Sequence, residues 1–337
     1  MPQTFAFTTA AMAAALEETP VSYEDLADIE REFDDAETEI IRQQVALTAP
    51  LYTRRTKITS QIPNFWPLVL EQAPPDIDQY IQPSDSALLL SSLLSLHVSH
   101  FEIEDEKTSG GDPRSVAITW EFSSNDYFED TKLEKKFWYR RSLDGGWSGL
   151  VSEPVRIKWK KGKDLTGGLL DMVCNAWEVE KKEGNRGGEK KKELTKEQKV
   201  LKKKIESTGM GGMSFFAWFG YIGRRISAEE SKEANAREER KREQRKNGGK
   251  IEEAEEEEDE EVDEDEEDLE IFPDGDGLAI ALTEDLWPEA IKYFTQAQEQ
   301  DALSDADFES DDEEEEDDEA QGSGSDGERP SKKRRSS

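Results

Sequence analysis

Residues Val21–Trp66 read VSYEDLADIEREFDDAETEIIRQQVALTAPLYTRRTKITSQIPNFW, and the organisation of the whole chain follows from them. Leu26, Ile29, Phe33, Ala36, Ile40 and Leu47 recur at alternating spacings of three and four, with the polar Gln43 interrupting. That is an a/d seam of period near 3.5, and Asp and Glu crowd the other faces. Thr19-Pro20 ahead of Ser22-Tyr23-Glu24-Asp25 supplies a helix start, with Ser22 as cap and acids in the first turn. A helix over about 19–61 would span roughly 60 Å at 1.5 Å per residue. One reading is a core helix with a solvated acidic face. The other is a dimerisation helix that pairs along Leu26, Ile29, Phe33, Ile40 and Leu47. Length favours the second, because a single domain of this size has no core that long. Pro50 removes one backbone bond, so a bend is expected there, with Leu51–Ser60 continuing as helix. Arg54, Arg55 and Lys57 make that end basic. Pro63 stops the helix, because a residue before proline avoids the α region.

The chain has 337 residues, 36% charged and 34% hydrophobic, so little apolar material remains outside the charged tracts. Aromatic and apolar residues concentrate in about Leu51–Trp177, with islands at Phe215–Ile222 and Leu278–Phe294. This predicts one folded domain interrupted by disordered charged insertions at about 180–210 and 247–270. Residues 1–18 read as a flexible arm without Lys or Arg, a poor secretory signal. The net charge of −35 repels nucleic acid and favours a basic partner, so direct high-affinity DNA binding is not expected. The single Cys174 leaves no intramolecular disulfide and fits a reducing compartment. No apolar run reaches the length of a membrane span, so no membrane partner is expected.

After the long helix, Phe65–Gln72 reads as a short apolar helix ending near Pro74-Pro75. Pro83-Ser84-Asp85 opens another through Leu94. Alternation begins at Leu96 and Val98, and Phe101 and Ile103 continue it on a shifted phase, which suggests a bulge. Val116, Ile118, Trp120 and Phe122 alternate as a half-buried strand, and Phe137 and Tyr139 lie in the next. Asp144-Gly145-Gly146 is a turn, and Val155, Ile157 and Trp159 read as a last strand. Leu278–Phe294 reads as a late helix with Leu282, Leu286, Ile291 and Phe294 on its buried side. The expected fold class is α+β: a long N-terminal helix and a roughly four-stranded antiparallel sheet covered by helices, followed by a disordered acidic tail over 299–337.

No enzyme is expected. His97 and His100 are the only histidines and Cys174 is alone, so no compact zinc set exists. Nucleophile-elbow, phosphate-loop and dinucleotide fingerprints are absent, and no cofactor is implied. Lys135–Arg141 interleaves basic and aromatic residues, a pattern that can stack on bases, but a sheet with one face in the core explains it as well. The dense carboxylates of Glu252–Glu270 and Asp311–Glu319 can compete with DNA phosphate for basic protein surfaces. A solubilising tail is the alternative. Ser304 and Ser310 precede acidic residues as acidophilic-kinase sites do. Lys332, Lys333, Arg334 and Arg335 suit nuclear import, or a fold-back onto the acidic tail.

Five stretches in order resemble the nucleosome assembly protein family, in its SET-like branch: Ile62-Pro63-Asn64-Phe65-Trp66, Asn125-Asp126-Tyr127-Phe128-Glu129, Ile157–Thr166 (IKWKKGKDLT), Ser214–Phe219 (SFFAWF) and Asp285–Phe294. Asp126 stands where that family has proline. The Lys/Glu insertion after Cys174, the acidic insert and the basic extreme C-terminus depart from the pattern. The basic end is more like the fungal, vacuolar-sorting-named members. The resemblance implies a homodimer whose long helices pair antiparallel, each carrying an α/β "earmuff" over 62–298. It implies a nuclear histone chaperone that binds core histones through the acidic underside and tail. The candidate contacts are Glu121, Asp126, Glu129, Asp130, Asp274, Asp276, Glu284, Asp285, Asp311, Asp312, Glu313 and Glu314. The runner-up it implies is a regulatory subunit that activates a histone acetyltransferase or inhibits a phosphatase.

Overall fold

The structure is a computed structural model, and it describes residues 23–104, 111–184, 194–208, 212–246 and 269–300. Helix α1, Tyr23–Thr59, runs unbroken through Pro50. Thr48, Thr53 and Thr56 hydroxyls donate to the carbonyls four residues back on either side of it. The chain then turns at Asn64, whose φ of 56° is the left-handed conformation that Asn tolerates better than most residues. Helix α2, Phe65–Glu71, follows and buries Phe65, Trp66, Val69 and Leu70. Helices α3 (Pro75–Asp78) and α4 (Pro83–Ser92) each begin on a proline at the first helical position, where a missing N–H costs nothing.

Four strands then form an antiparallel meander in the order β1-β2-β3-β4: Leu93–Ser99, Val116–Phe122, Lys132–Arg141 and Ser148–Ser152. The β3–β4 turn needs a left-handed residue at its tip, and Gly145 supplies it at φ 78°. Period-two alternation sends Val116, Ile118, Trp120, Leu133 and Phe137 to one face, where all are buried. That face meets the 3-10 segment Phe215–Gly220: Phe137 stacks on Trp218 at 5.4 Å, and Trp120 meets Phe215 at 5.1 Å. Asp85, fully buried on α4, holds this segment by accepting from the Ser214 hydroxyl (2.6 Å) and the Phe215 N–H (2.7 Å). Burial pushes the Asp85 carboxyl upward, and the hydrogen bonds oppose that shift.

Helix α5 is Phe101–Glu104, and α6 (Leu169–Gly184), α7 (Lys196–Thr208) and α8 (Ala228–Lys246) complete the covering layer. The chain closes with α9 (Gly275–Ile280), a π-helical turn (Ala281–Leu286) and α10 (residues 290–300). Trp287 lies between the last two and donates its indole N–H to the Leu96 carbonyl of β1 at 3.2 Å.

Five expectations change. The fourth strand is Ser148–Ser152, and among the described residues Val155–Trp159 contributes one isolated bridge, Trp159 to Phe128. Its backbone is divided between neighbours: Val155 N donates to Phe219, while Lys158 O accepts from Glu129. Phe101 and Ile103 lie in a helical turn, because the chain folds back to put Phe101 edge-on to Trp138. The register shift falls earlier, between Leu93 and Ser95. The late helix is interrupted where Pro288 cannot donate, and Ile291 emerges 57% exposed. Lastly, 196–208 of the expected disordered insertion is helical, with Leu201 buried.

Candidate functional site

The first candidate surface is the stripe on α1. Leu26, Ile29, Phe33, Ile40 and Leu47 stand 48–73% exposed on one long helix, with Leu51 and Ile58 also uncovered. An apolar row of that length facing water is a continuous patch rather than scattered apolar exposure, which makes it a candidate contact surface. Two devices set α1 against the domain. Near its C-terminal end, Arg55 is buried: it donates to the carbonyls of Trp287 and Pro288, and its guanidinium lies over the Tyr52 (4.6 Å) and Trp287 (4.5 Å) rings. Burial lowers its pKa to about 10, so it stays cationic at neutral pH. Near its N-terminal end, Asp34 meets Arg114 and Arg141, while Arg242 of α8 reaches Asp35 (2.7 Å) and Glu32 (3.4 Å). Arg55→Ala removes two carbonyl bonds and the ring stack together. The expected cost is about 2–4 kcal/mol, read as a lower urea midpoint at unchanged slope.

The predicted acidic residues fall in three places. Asp274 and Asp276 lie at the start of α9, where the Tyr80 hydroxyl donates to Asp274 at 3.2 Å. Burial and the nearby carboxylates of Asp274, Asp76 and Asp276 raise the Tyr80 phenol, so at least three carboxylates converge here. Beside them is a groove of ≈ 320 Å³ lined in part by Tyr80, Gln82, Phe272 and Asp274. Sequence reasoning missed Asp76 and Tyr80, although Pro74-Pro75-Asp76-Ile77-Asp78 announces an exposed acidic turn. The second place is the end of β2. Glu121 is exposed and accepts from Ser95, and the loop beyond it carries Asp126, Glu129 and Asp130. This is a surface of mixed charge: Asp130 accepts from the Lys158 N–H at 2.7 Å, and Lys160 donates to the Asn125 carbonyl. In the third, Glu284 is exposed and Asp285 accepts from the Tyr293 hydroxyl, whose pKa is pushed up to about 12 by burial and by that carboxylate. Asp311, Asp312, Glu313, Glu314, Ser304, Ser310 and Lys332–Arg335 lie outside the described residues.

Among the described residues, no group of three or more His, Cys, Asp or Glu side chains is placed to hold a metal, and no helix is long and apolar enough to cross a membrane. What the geometry presents is an uncovered apolar stripe along α1 and an anionic patch around Tyr80.

The nucleosome assembly protein (NAP) family matches residues 30–297. The chain belongs to this family. Its NAP-family relatives include a putative nucleosome assembly protein of Schizosaccharomyces pombe, 38% identical over 157 residues, which cover 44% of this chain and 61% of that one. The NAP1-related protein 1 of Arabidopsis thaliana is 28% identical over 48% of this chain and 57% of its own length. The chain thus spans about three fifths of these curated relatives. Vacuolar protein sorting-associated protein 75 of Saccharomyces cerevisiae is 24% identical over 85% of this chain and 81% of its own. Among solved structures, Ccp1 matches with a TM-score of 0.47 at 29% identity, over 86% of this chain and 97% of that one. Vps75 matches at 0.49 and 22%, over 82% and 98%.

Proposed function

We propose that this NAP-family chain is a non-enzymatic nuclear histone chaperone acting as a homodimer. It shields histone charge, blocks non-productive DNA contacts and yields its cargo when DNA outcompetes it. The observation that carries the reading is the excess of 79 Asp and Glu over 44 Lys and Arg in a chain of this family, with Asp76, Asp274 and Asp276 gathered at one folded edge. Polyanionic tracts supply strength, and the folded edge supplies orientation. The homodimer is supported by the uncovered stripe on α1. Beside it runs a groove of ≈ 390 Å³ whose lining includes Val45, Ala49, Tyr52, His97 and Trp287. Import through Lys332–Arg335 and phosphorylation of Ser304 and Ser310, which adds negative charge, belong to the same reading.

Core histones retained on the immobilised chain across a salt series, with duplex DNA as competitor, test it. Deleting 249–268 and 303–337 together should weaken binding by roughly tenfold and leave a salt-sensitive remainder on the folded edge. The deletion stops at 268 because Leu269 and Glu270 are packed into the domain. No retention at low salt, or retention indifferent to salt, removes the proposal. Stimulation of a histone acetyltransferase by a chain that retains no histone replaces it with the regulatory-subunit reading.

A further inference from the structure

On a chain of net charge −35, α7 is an anomaly. Its lysines outnumber its only acids, Glu197 and Glu206. Gln198 and Leu201 fasten one side to the domain. Lys196, Lys199 and Lys203 recur at spacings of three and four, so they share the opposite side, and all three are exposed, as is Lys204. On α6, Lys181 and Lys182 add to the same hairpin, each with an exposed carboxylate partner, Glu153 and Glu178. A lysine row held on a helix whose other side is anchored is a preset surface for a polyanion.

We infer that this lysine row docks the chain's own acidic segment, 252–268. Three observations single out that occupant. The first is charge: the segment is almost wholly Asp and Glu. The second is where it ends. The segment enters the fold at Leu269, and the next residue, Glu270, accepts from the Ile222 (3.0 Å) and Gly223 (3.2 Å) N–H groups. Two residues on, Arg225 pairs with Glu180 at 3.0 Å, and Glu180 accepts from Gln198 of α7 at 3.2 Å. The end of the acidic segment is therefore tied to the base of the lysine helix through three short contacts and the three-residue stretch 223–225. The third is tethering. Three or four extended residues span a helix diameter of roughly 10 Å, and a short tether holds its end at about millimolar effective concentration. Nucleic acid, the rival polyanion, arrives untethered and against the net charge of the whole chain. Docking keeps part of the acidic charge covered until a more basic partner takes it. Only that consequence rests on the proposed function.

Zero-length carbodiimide cross-linking of the full-length chain, mapped by mass spectrometry, tests the contact without any histone. The expected result is cross-links from Lys196, Lys199 and Lys203 to carboxylates in 252–268 at low salt, falling at least fivefold at 0.5 M salt. Deleting 252–268 should raise the acetylation rate of those amines severalfold. The K196E/K199E/K203E variant should lose the cross-links while keeping the wild-type melting temperature. Cross-links from 252–268 confined to other lysines, or amine reactivity unchanged by the deletion, overturn the inference. So does protection of the same lysines by duplex DNA in preference to the segment.

Discussion

If the proposed pairing along α1 holds, Phe33→Glu combined with Ile40→Glu is expected to leave the chain monomeric at micromolar concentration. Both side chains stand more than 60% exposed on α1, so neither supports the core of its own domain. In a two-fold pair each change occurs twice, and the stripe meets itself. Losing the burial of a Phe or Ile removes about 1.5–3 kcal/mol per site, so the four sites together account for at least about 6 kcal/mol. The new carboxylates would also sit in a seam already flanked by Glu32, Glu37 and Glu39. At 1.4 kcal/mol per factor of ten, the dimer dissociation constant rises by four orders of magnitude or more, roughly. Sedimentation velocity reads the mass, and near-ultraviolet circular dichroism checks that the domain tryptophans keep their packing. A wild-type chain that sediments as a monomer at micromolar concentration sinks the proposed pairing, and so does a double variant that remains dimeric.

The stripe was legible because period and length both speak in one dimension: the 3.5 repeat gives the face, and the span exceeds any core available to it. The β2 strand was legible for a similar reason, since Val116, Ile118, Trp120 and Phe122 alternate without interruption. Val155, Ile157 and Trp159 alternate just as cleanly and pair mainly outside the sheet. Alternation reports which sides of an extended segment are apolar, but not whether a neighbouring strand has its backbone free. Lys196–Thr208 misled in the opposite direction. Its composition is that of a solvated tract, yet a single buried Leu201 with half-buried Leu194 and Ile205 holds a helix to α6. The acidic site was legible in kind and only partly in place. Asp274 and Asp276 are brought to the same point as Asp76, nearly two hundred positions away, and no local pattern announces such a meeting. Asp130 looks anionic in sequence and is engaged by Lys158 in space. Leu269 and Glu270 read as the end of an acidic run, but one is core and the other satisfies three backbone N–H groups.

Lys135→Met is expected to destabilise the domain by about 3–5 kcal/mol, the range seen when one member of a buried charge pair is removed. The alternation of β3 places Leu133, Lys135 and Phe137 on the core side, and Lys135 has no exposed surface. Its ammonium has three protons and meets three carbonyls: Tyr221 (2.6 Å), Glu153 (2.8 Å) and Phe219 (3.1 Å). These bonds tie β3 to the strand's continuation beyond β4 and to the end of the aromatic 3-10 segment. Burial drives the Lys135 pKa down, and the Glu270 carboxylate, itself pushed up by burial, is the main influence holding it in the charged form. Methionine approximates the stem volume, so the loss is not a cavity. It leaves carbonyl oxygens facing an apolar side chain and Glu270 without its cation. At about 2–4 °C per kcal/mol for a domain of this size, the melting temperature should fall by roughly 10 °C. Urea unfolding at pH 7 reads the difference directly, with an unchanged slope showing that the same surface unfolds. Because Lys135 lies far from the stripe on α1 in sequence and inside the core, the variant should sediment as the wild type does below its melting temperature. An unfolding free energy within about 1 kcal/mol of wild type would mean that water satisfies the carbonyls as well as the ammonium does, and that the charge in this core is dispensable.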